Sequence, residues 1–303
     1  MTAGGPLARR ALVTGGTSGI GAAFARALAG QGADLVLVAR DATRMEDFAA
    51  DLRSRHGVEV ETLVADLAER DQVLRVADRL TAADRPVDLL VNNAGFAVRA
   101  PLTAADTTPH EHAMDVMCRA VLMLGAAAGR TMRERGSGRI VNVSSTSGYV
   151  VLGNYSAIKA WVTAYGEGLA VELAGSGVTV TTVCPGWVRT AFHDRAGIAT
   201  TSIPGPLWLD ADDLVAEALS DVARGRVISI PSKRYRILIW GARHAPRPVI
   251  RRISAAISSS RHRDGAARAE RAAQTTQAEQ DGGDQPGPRP PSGTEMSDDD
   301  PHA

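Results

Sequence analysis

Short apolar runs alternate with longer amphipathic stretches from residue 10 to about residue 230. The short runs are rich in Val, Leu and Ile and are typical of buried strands, whereas the longer stretches repeat apolar residues with the helical period. The predicted strands are Ala11–Thr14, Leu35–Ala39, Glu59–Val64, Asp88–Val91, Arg139–Ser144, Val178–Val183 and Val227–Ile230. The predicted helices cover about residues 20–30, 42–55, 69–82, 110–134, 154–174 and 212–224, with Asp212 as the expected N-cap of the last.

This alternation predicts an α/β fold. Strands that alternate with helices form βαβ units, and their strands pair in parallel. Right-handed crossovers then give a doubly wound, seven-stranded parallel sheet with helices on both faces. The loops that follow the strands meet along one carboxyl edge, where ligands bind in such folds.

Composition divides the chain into three segments. Residues 1–232 carry the alternating pattern, and residues 233–263 are basic and amphipathic. Residues 264–303 are dominated by Ala, Gln, Gly, Pro and Asp, with hardly any large apolar side chain. Such a segment buries too little surface to offset its ordering entropy, so we predict that it is disordered.

The basic segment predicts two amphipathic helices. Residues 222–263 contain eleven Lys or Arg and no Asp or Glu. The predicted apolar faces are Tyr235, Leu238, Ile239 and Ala242 on the first helix, and Val249, Ile250, Ile253 and Ile257 on the second. Residues 233–259 could rest on an anionic membrane surface. Alternatively, both helices fold back over the sheet and cover the substrate cleft or a subunit contact.

Overall charge and cysteine content narrow the classes of protein. The formal net charge of the 303 residues is zero, which gives no reason to expect nucleic acid as a partner. Cys118 and Cys184 lie in apolar stretches without metal-ligand spacing, so we expect buried free thiols and no metal site. With no apolar leader and no run of ~18 apolar residues, the expected localisation is cytoplasmic, with membrane association through 233–259 left open.

A glycine-rich turn, TGGTSGIG at 14–21, follows the first predicted strand and opens the first predicted helix. In this context glycines permit a tight turn, close approach of the backbone to a pyrophosphate, and close helix packing. The amides at the helix start would face the anion. The candidate cofactor contacts are Gly15, Thr17, Ser18, Gly19, Ile20 and Gly21; an ordinary glycine turn is the alternative.

The ends of the second and third strands indicate which dinucleotide binds. Arg40 stands where NAD-binding proteins use an acidic residue for the ribose, and its guanidinium suits the 2′-phosphate of NADP. NAD is therefore less favoured, although Asp41 could bind the ribose if the strand ended one residue later. Asp66 and Leu67 lie where an adenine amino group could be bound, and a helix N-cap is an alternative for Asp66.

Small and polar residues close the fourth and fifth strands. Asn93, Ala94 and Gly95 would let the cofactor ribose pass close to the backbone, although a plain turn is equally compatible with NNAG. Ser144 and Ser145 end the fifth strand and point to opposite sides, because side chains alternate along a strand. One of the two should therefore face the cleft.

Tyr155 and Lys159 stand four residues apart in a predicted helix, so their side chains share one face. A free phenol titrates near ~10, and a neighbouring ammonium favours the phenolate. Lys159 is thus expected to lower the pKa of Tyr155 and make it a general acid or base.

Together these motifs resemble the short-chain dehydrogenase/reductase family over about residues 9–195. The resemblance is carried by TGGTSGIG, by NNAG at 92–95, by YSAIK at 155–159 and by CPGWVRT at 184–190. It implies that 1–232 form a Rossmann-type catalytic domain of the NADP-preferring type. It further implies that Tyr155 donates a proton to the carbonyl, Lys159 holds the nicotinamide ribose and Ser145 orients the carbonyl oxygen. By the same likeness, the cofactor is also contacted by Pro185, Gly186, Val188 and, at its carboxamide, Thr190.

One position departs from the family pattern. Members usually carry an Asn in the helix after NNAG, which is thought to hold a proton-relaying water near the Lys. Here that stretch reads Met114-Asp115-Val116-Met117, and a thioether is only a weak acceptor. The relay could use the Met117 carbonyl or another route, or turnover could be slow.

The resemblance implies an NADP-dependent oxidoreductase that transfers a hydride between NADPH and a carbonyl or secondary alcohol. The stretch His193–Leu209 could act as a mobile lid. Apolar residues in and beside it, namely Phe192, Ile198, Ile203, Leu207 and Trp208, favour a hydrophobic substrate. A dinucleotide-binding regulator or scaffold with little turnover is the alternative, and family likeness also allows a homo-oligomer.

Overall fold

The computed structural model describes residues 6–98, 100–189 and 205–256. The strands of the main sheet are β1 (Arg10–Thr14), β2 (Asp34–Ala39), β3 (Val60–Val64), β4 (Leu89–Asn92), β5 (Gly138–Val143), β6 (Val178–Val183) and β9 (Ile228–Ser229). They pair in parallel in the order β3-β2-β1-β4-β5-β6-β9. The predicted fold class is thereby confirmed.

Helices connect the strands on both sides of the sheet. They are α1 (Gly19–Gly30), α2 (Ala42–His56), α3 (Arg70–Thr81), α4 (Thr108–Met114), α5 (Ala120–Glu134), α6 (Gly153–Glu172), α7 (Ala211–Ala223) and α8 (Lys233–His244). Residues 247–256 are also helical and are called α9. Two short strands, β7 (Trp187–Val188) and β8 (Trp208–Leu209), form a separate parallel pair that the sequence pattern did not predict.

The strands form where they do because both sheet faces are covered. Every residue of β1 is buried, as expected for a strand between two helix layers. Alternate side chains enter two separate cores: Ala11 and Val13 pack with α1, α2 and α7, whereas Leu12 packs with α3, α5 and α6. The strand order reverses between β1 and β4, which creates a crevice at their carboxyl ends.

Two local features differ from the prediction. The predicted helix over 110–134 is interrupted by a π-helical turn, Asp115–Arg119, in which the Ala120 amide donates to the Asp115 carbonyl. The N-cap of α7 is Asp210 rather than Asp212. Its extended backbone lets the Asp210 carboxylate accept from the amides of Asp212 (2.8 Å) and Asp213 (3.2 Å).

One face of each C-terminal helix packs against the rest of the domain. Tyr235 and Ile239 of α8 are buried, as are Ile250 and Ser254 of α9. The Ser254 hydroxyl accepts from the Val151 amide at 3.1 Å. Other residues of the predicted apolar faces are exposed, namely Leu238, Val249 and Ile253. Ile257 and the tail predicted to be disordered, 264–303, lie outside the described residues.

Tyr235 ties α8 to the chain beyond β6. Its ring lies flat against Gly186, where a Cβ would overlap the ring. Its hydroxyl accepts from the Trp187 amide (3.0 Å) and donates to the Leu207 carbonyl (2.7 Å). One side chain therefore fastens residues at the start of β7 and just before β8. Within the part of the chain described, no helix combines the length and apolarity needed to cross a bilayer.

We expect Tyr235→Phe to lower the free energy of unfolding by about 1–3 kcal/mol, because it removes both hydrogen bonds of the hydroxyl. Urea unfolding followed by tryptophan fluorescence measures the change. Tyr165→Phe is the matched control, since the Tyr165 hydroxyl makes only a long, exposed bond of 3.4 Å to Leu122. Equal losses in the two variants would contradict the role given to Tyr235.

Candidate active site at the carboxyl edge of the sheet

The glycine-rich turn lies at the crevice, between β1 and α1. Gly15 (φ +63°) and Gly19 (φ +53°) adopt the left-handed conformation, which explains the choice of glycine. The Gly15 amide donates to the Val38 carbonyl at 2.8 Å. Ser18 is the N-cap of α1 but makes no side-chain cap hydrogen bond. The first amides of α1 are therefore not satisfied by a side-chain cap and suit an anion such as a pyrophosphate.

Thr14 joins the ends of β1 and β4. Its hydroxyl donates to the Val91 carbonyl (3.3 Å) and accepts from the amides of Asn93 (2.9 Å) and Ala94 (3.1 Å). The Asn93 side chain donates to the carbonyls of Thr14 (2.9 Å) and Gly15 (3.3 Å). A Cβ on Gly21 would overlap both the Gly15 carbonyl and the Asn93 amide. The Asn93 side chain therefore holds the turn. Thr14 is a positioning residue that was not among the candidate site residues.

Arg40 directly follows β2 and extends into solvent. Its side chain is 69% exposed, and Nη1 lies 3.7 Å from Asp66 Oδ2. The strand ends at Ala39, and the Asp41 carboxylate instead accepts from the Arg44 amide (3.0 Å) as the N-cap of α2. The longer strand that would have favoured Asp41 is thus absent among the described residues. Arg40 is therefore the charged side chain at this strand end that does not cap a helix.

Asp66 and Leu67 follow β3. Asp66 accepts from the Ala68 amide at 2.9 Å, whereas the N-cap of α3 is Glu69, so the N-cap alternative for Asp66 is wrong. Leu67 is buried. Asp66 therefore orders the turn before α3 and at the same time faces Arg40.

Gly95, Met117 and Lys159 meet behind the end of β4. A Cβ on Gly95 would lie 2.9 Å from the Met117 sulfur and 3.6 Å from Lys159 Nζ. Met117 belongs to the π-helical turn and is 1% exposed. Met117, which departs from the family pattern, thus lies against the predicted site. The π-helical turn that carries it is a distortion frequent at functional sites.

The two serines after β5 point to different sides. Ser144 is buried, donates to the Lys159 carbonyl (2.7 Å) and lies 2.7 Å from the Thr163 hydroxyl. Ser145 is partly exposed, and its hydroxyl hydrogen-bonds the side chain of Tyr155. Ser144 therefore anchors α6, and Ser145 is the serine beside Tyr155.

Tyr155 and Lys159 share a face of α6, as their spacing predicted. Lys159 Nζ lies 5.7 Å from the centre of the Tyr155 ring and donates to the Val143 carbonyl at 2.9 Å. Burial lowers the pKa of Lys159 from 10.5 to about 8, opposed by the thiols of Cys118 and Cys184. Burial raises the pKa of Tyr155 from 10.0 to about 12, opposed by the hydrogen bond from Ser145.

This direction for Tyr155 is opposite to the predicted lowering by the ammonium. The reason is geometric: the ammonium donates to a strand carbonyl instead of the phenol oxygen, so the desolvation of Tyr155 dominates its pKa.

The segment after β6 lies against the residues that follow Ser145. The Pro185 carbonyl accepts from the Thr146 amide at 2.8 Å, Gly186 lies under Tyr235, and Val188 is buried. Thr190 and the lid residues Phe192, His193, Ile198 and Ile203 lie outside the described residues. Leu207 and Trp208 are partly exposed, and the rings of Trp187 and Trp208 have centres 6.2 Å apart.

In the ranges that the structure covers, no three His, Cys, Asp or Glu side chains come together as a metal site would require. Cys118 is partly exposed and Cys184 is buried, and both are free thiols. The polar groups beside Tyr155 include the Ser145 hydroxyl and the Lys159 ammonium.

Known proteins share this architecture. A solved short-chain dehydrogenase from Sphingobium yanoikuyae, in complex with NADPH, is 37% identical with a TM-score of 0.71, over 77% of this chain and 93% of that chain. The bulky-bulky ketone specific alcohol dehydrogenase from Comamonas testosteroni is 30% identical with a TM-score of 0.67, over 79% of this chain and 95% of that chain. Gluconate 5-dehydrogenase of Gluconobacter oxydans is 33% identical over 241 residues, 73% of this chain and 92% of that protein.

The model of the family described as short chain dehydrogenase matches residues 9–199, which include the glycine-rich turn, NNAG, Tyr155 and Lys159. Since this match covers more than half of the 303 residues and the fold agrees, the chain belongs to the short-chain dehydrogenase/reductase family of oxidoreductases.

Proposed function

We propose that the protein is an NADP-dependent oxidoreductase that transfers a hydride between NADPH and a carbonyl or secondary alcohol of a hydrophobic small molecule, with Tyr155 as the general acid and base. The observation that carries this proposal is the cluster of Ser145, Tyr155 and Lys159 at the carboxyl edge of the sheet. The bound nicotinamide supplies or accepts the hydride. The residues of the chain would bind the dinucleotide, orient the substrate and exchange protons with it.

The dinucleotide would lie along the crevice between β1 and β4. Gly15, Thr17, Ser18, Gly19, Ile20 and Gly21 would hold the pyrophosphate, with the uncapped start of α1 facing its charge. Asp66 and Leu67 would flank the adenine, and Ala94 and Gly95 the ribose. Asn93 would act by holding the turn. Pro185, Gly186, Val188 and Thr190 would flank the nicotinamide.

Arg40 supports the preference for NADP over NAD. Its exposed guanidinium is paired only weakly with Asp66, at 3.7 Å, so it is available to a 2′-phosphate. Asp41 is committed to capping α2 and does not compete for the ribose hydroxyls. The similar Sphingobium protein was solved with NADPH, which supports the same choice here.

The raised pKa of Tyr155 suits the role of a general acid in reduction. A Tyr155 pKa of about 12 keeps the phenol protonated, and a general acid must carry its proton before reaction. Ser145 and Tyr155 would both donate to the carbonyl oxygen as negative charge grows there. Lys159, with a pKa of about 8, would return a proton to Tyr155 close to physiological pH.

A bulky apolar carbonyl compound is the proposed substrate. Trp187, Leu207 and Trp208 are partly exposed. Trp187 belongs to the Pro185–Val188 segment, and Trp208 lies beside it with ring centres 6.2 Å apart. Aromatic and aliphatic side chains of this kind line pockets for apolar ligands. The bulky-bulky ketone specificity of the similar Comamonas enzyme is consistent with this choice.

The thioether of Met117 beside Lys159 favours one second candidate, a dinucleotide-binding regulator with little turnover. The two candidates are separated by incubating the purified protein with NADPH and a panel of bulky ketones. An oxidoreductase consumes NADPH, whereas a regulator binds it without consuming it.

We expect Tyr155→Phe to lower the rate of ketone reduction by about two to four powers of ten, because it removes the donated proton. NADPH affinity, measured by fluorescence titration, should stay unchanged. Tyr165→Phe, on the same helix, is the control and should reduce ketones like the wild type. A Tyr155→Phe enzyme that kept the wild-type rate would remove Tyr155 from the mechanism.

For Arg40→Ala we expect roughly tenfold to hundredfold weaker NADPH binding, the size of one or two charge-assisted hydrogen bonds, with NADH binding nearly unchanged. Arg55→Ala is the matched control, since the Arg55 side chain is 70% exposed against 69% for Arg40. Equal losses of NADPH and NADH affinity in Arg40→Ala would contradict the assigned contact with the 2′-phosphate.

Lys159→Met is expected to stabilise the protein at pH 7 by ~1–3 kcal/mol, because the wild type buries a charged ammonium. The pKa of Lys159 is about 8 in the folded protein and 10.5 ordinarily. As the pH rises, the folded protein therefore loses this proton at a lower pH than the unfolded chain. Stability of the wild type relative to the variant therefore rises between pH 8 and pH 10.5.

Urea unfolding at several pH values measures this difference. Lys233→Met, which changes the exposed lysine of α8, corrects for the general effect of pH. If the difference in the free energy of unfolding between Lys159→Met and the wild type stayed constant from pH 8 to pH 10.5, burial would not shift the pKa of Lys159.

A further inference from the structure

The outer faces of α8 and α9 are unusually apolar for a surface. Of the thirteen exposed large hydrophobic residues in the described part of the chain, five lie within residues 233–256. They are Ile237 (71% exposed), Trp240 (65%), Leu238 (52%), Ile253 (48%) and Val249 (43%). Concentrations of this kind mark interaction surfaces, whereas single exposed hydrophobic residues need no explanation.

The arrangement on α8 separates an inner from an outer face. Tyr235 and Ile239 point into the domain, where Tyr235 hydrogen-bonds Trp187 and Leu207. Ile237 and Trp240 are three residues apart and lie on the opposite side of the helix. The outer residues are therefore free to contact a partner without disturbing the inner face.

The charge of the same segment is one-sided. Residues 233–256 contain seven Lys or Arg and no Asp or Glu, although the whole chain has a net charge of zero. Arg236 forms an ion pair with Glu217. Lys233, Arg247, Arg251 and Arg252 are exposed, and none of them has an ion-pair partner among the residues described.

We propose that α8 and α9 dock on the surface of an anionic lipid bilayer, which goes beyond the oxidoreductase activity. Ile237 and Trp240 would enter the interfacial region, where an indole is well accommodated. The unpaired Lys and Arg side chains would contact lipid phosphates and the negative surface potential. The helices lie on the membrane and do not span it.

Charge selects a bilayer over a second copy of the chain. In a two-fold symmetric dimer the same patch faces itself, so seven positive charges would meet seven others without an acidic residue from this segment between them. An anionic bilayer offers the complementary charge, together with an apolar interior for the exposed side chains.

The docking helices also contact the candidate active site. Ser254 holds Val151, α8 packs on residues 146–149, and Tyr235 holds Trp187 and Leu207. Membrane docking would thus occur on the elements that enclose Tyr155, where a lipid-soluble ketone would enter.

The proposal is tested by sedimenting the full chain with vesicles of phosphatidylcholine, with and without phosphatidylserine, in the absence of ketone and cofactor. We expect binding to the anionic vesicles that weakens as salt is added. Ile237→Ser/Trp240→Ser should weaken binding by roughly tenfold or more. Val171→Ser/Leu74→Ser, which changes exposed residues of α6 and α3, should bind like the wild type.

A second variant, Arg251→Gln/Arg252→Gln, should lose affinity for anionic vesicles only, and it leaves the apolar residues intact. Circular dichroism and melting temperature establish that each variant is folded. Failure of the full chain to bind anionic vesicles at low salt would overturn the proposal, as would wild-type binding by both variants.

The mass of the unbound protein, measured by sedimentation velocity, provides the other decisive outcome. If, without lipid, the mass of Ile237→Ser/Trp240→Ser were lower than that of the wild type, this face would be a contact between copies of the chain. That result would overturn membrane docking. Because no ketone or cofactor is present, these outcomes are independent of the proposed oxidoreductase activity.

Discussion

The burial of the Lys159 ammonium is the constraint on which the rest of the site depends. A buried charge is costly unless it is hydrogen-bonded, and here Nζ donates to the Val143 carbonyl at the end of β5. The Lys159 carbonyl accepts from Ser144 and Thr163, so the same residue also fixes α6 against the sheet. Tyr155 lies one helical turn before Lys159, on the same face of α6. The relative position of Tyr155 and Lys159 is therefore set by the packing of α6 on β5.

A second set of contacts determines where a dinucleotide could lie. Strand order creates the crevice between β1 and β4, but Thr14 and Asn93 define its floor by joining both strand ends to the glycine-rich turn. The amides of Asn93 and Ala94 both donate to the Thr14 hydroxyl, which fixes the backbone after β4 against the end of β1. A site built in this way tolerates no Cβ at Gly21. The glycine motif is thus as much a packing requirement as a ligand contact.

The sequence was informative where one physical cause dominates. Strands buried on both faces give continuous apolar runs, so β1 and β6 were predicted within a residue. Gly15 and Gly19 were identified because a tight turn favours glycine, and both adopt positive φ. The π-helical turn at Met117 and the contacts of Tyr235 depend on tertiary geometry, which no local pattern encodes. The pKa of Tyr155 was predicted in the wrong direction for the same reason. Spacing in a helix shows that an ammonium is near, but not that it donates to a strand carbonyl. The Asp210 cap is local, but the first turn of α7 also contains Asp212, which suits the same role by residue type.

Met117 links the departure from the family pattern to the chemistry of Lys159. Its buried thioether faces Gly95 and the region of Lys159 Nζ, and sulfur is a poor hydrogen-bond acceptor. Met117 is part of the buried surroundings of Lys159, and burial lowers the pKa of Lys159 to about 8. A lysine with that pKa gives up its proton more readily at physiological pH than one with an ordinary pKa. The departure from the family pattern thus falls near a lysine that burial already makes more acidic than an ordinary lysine.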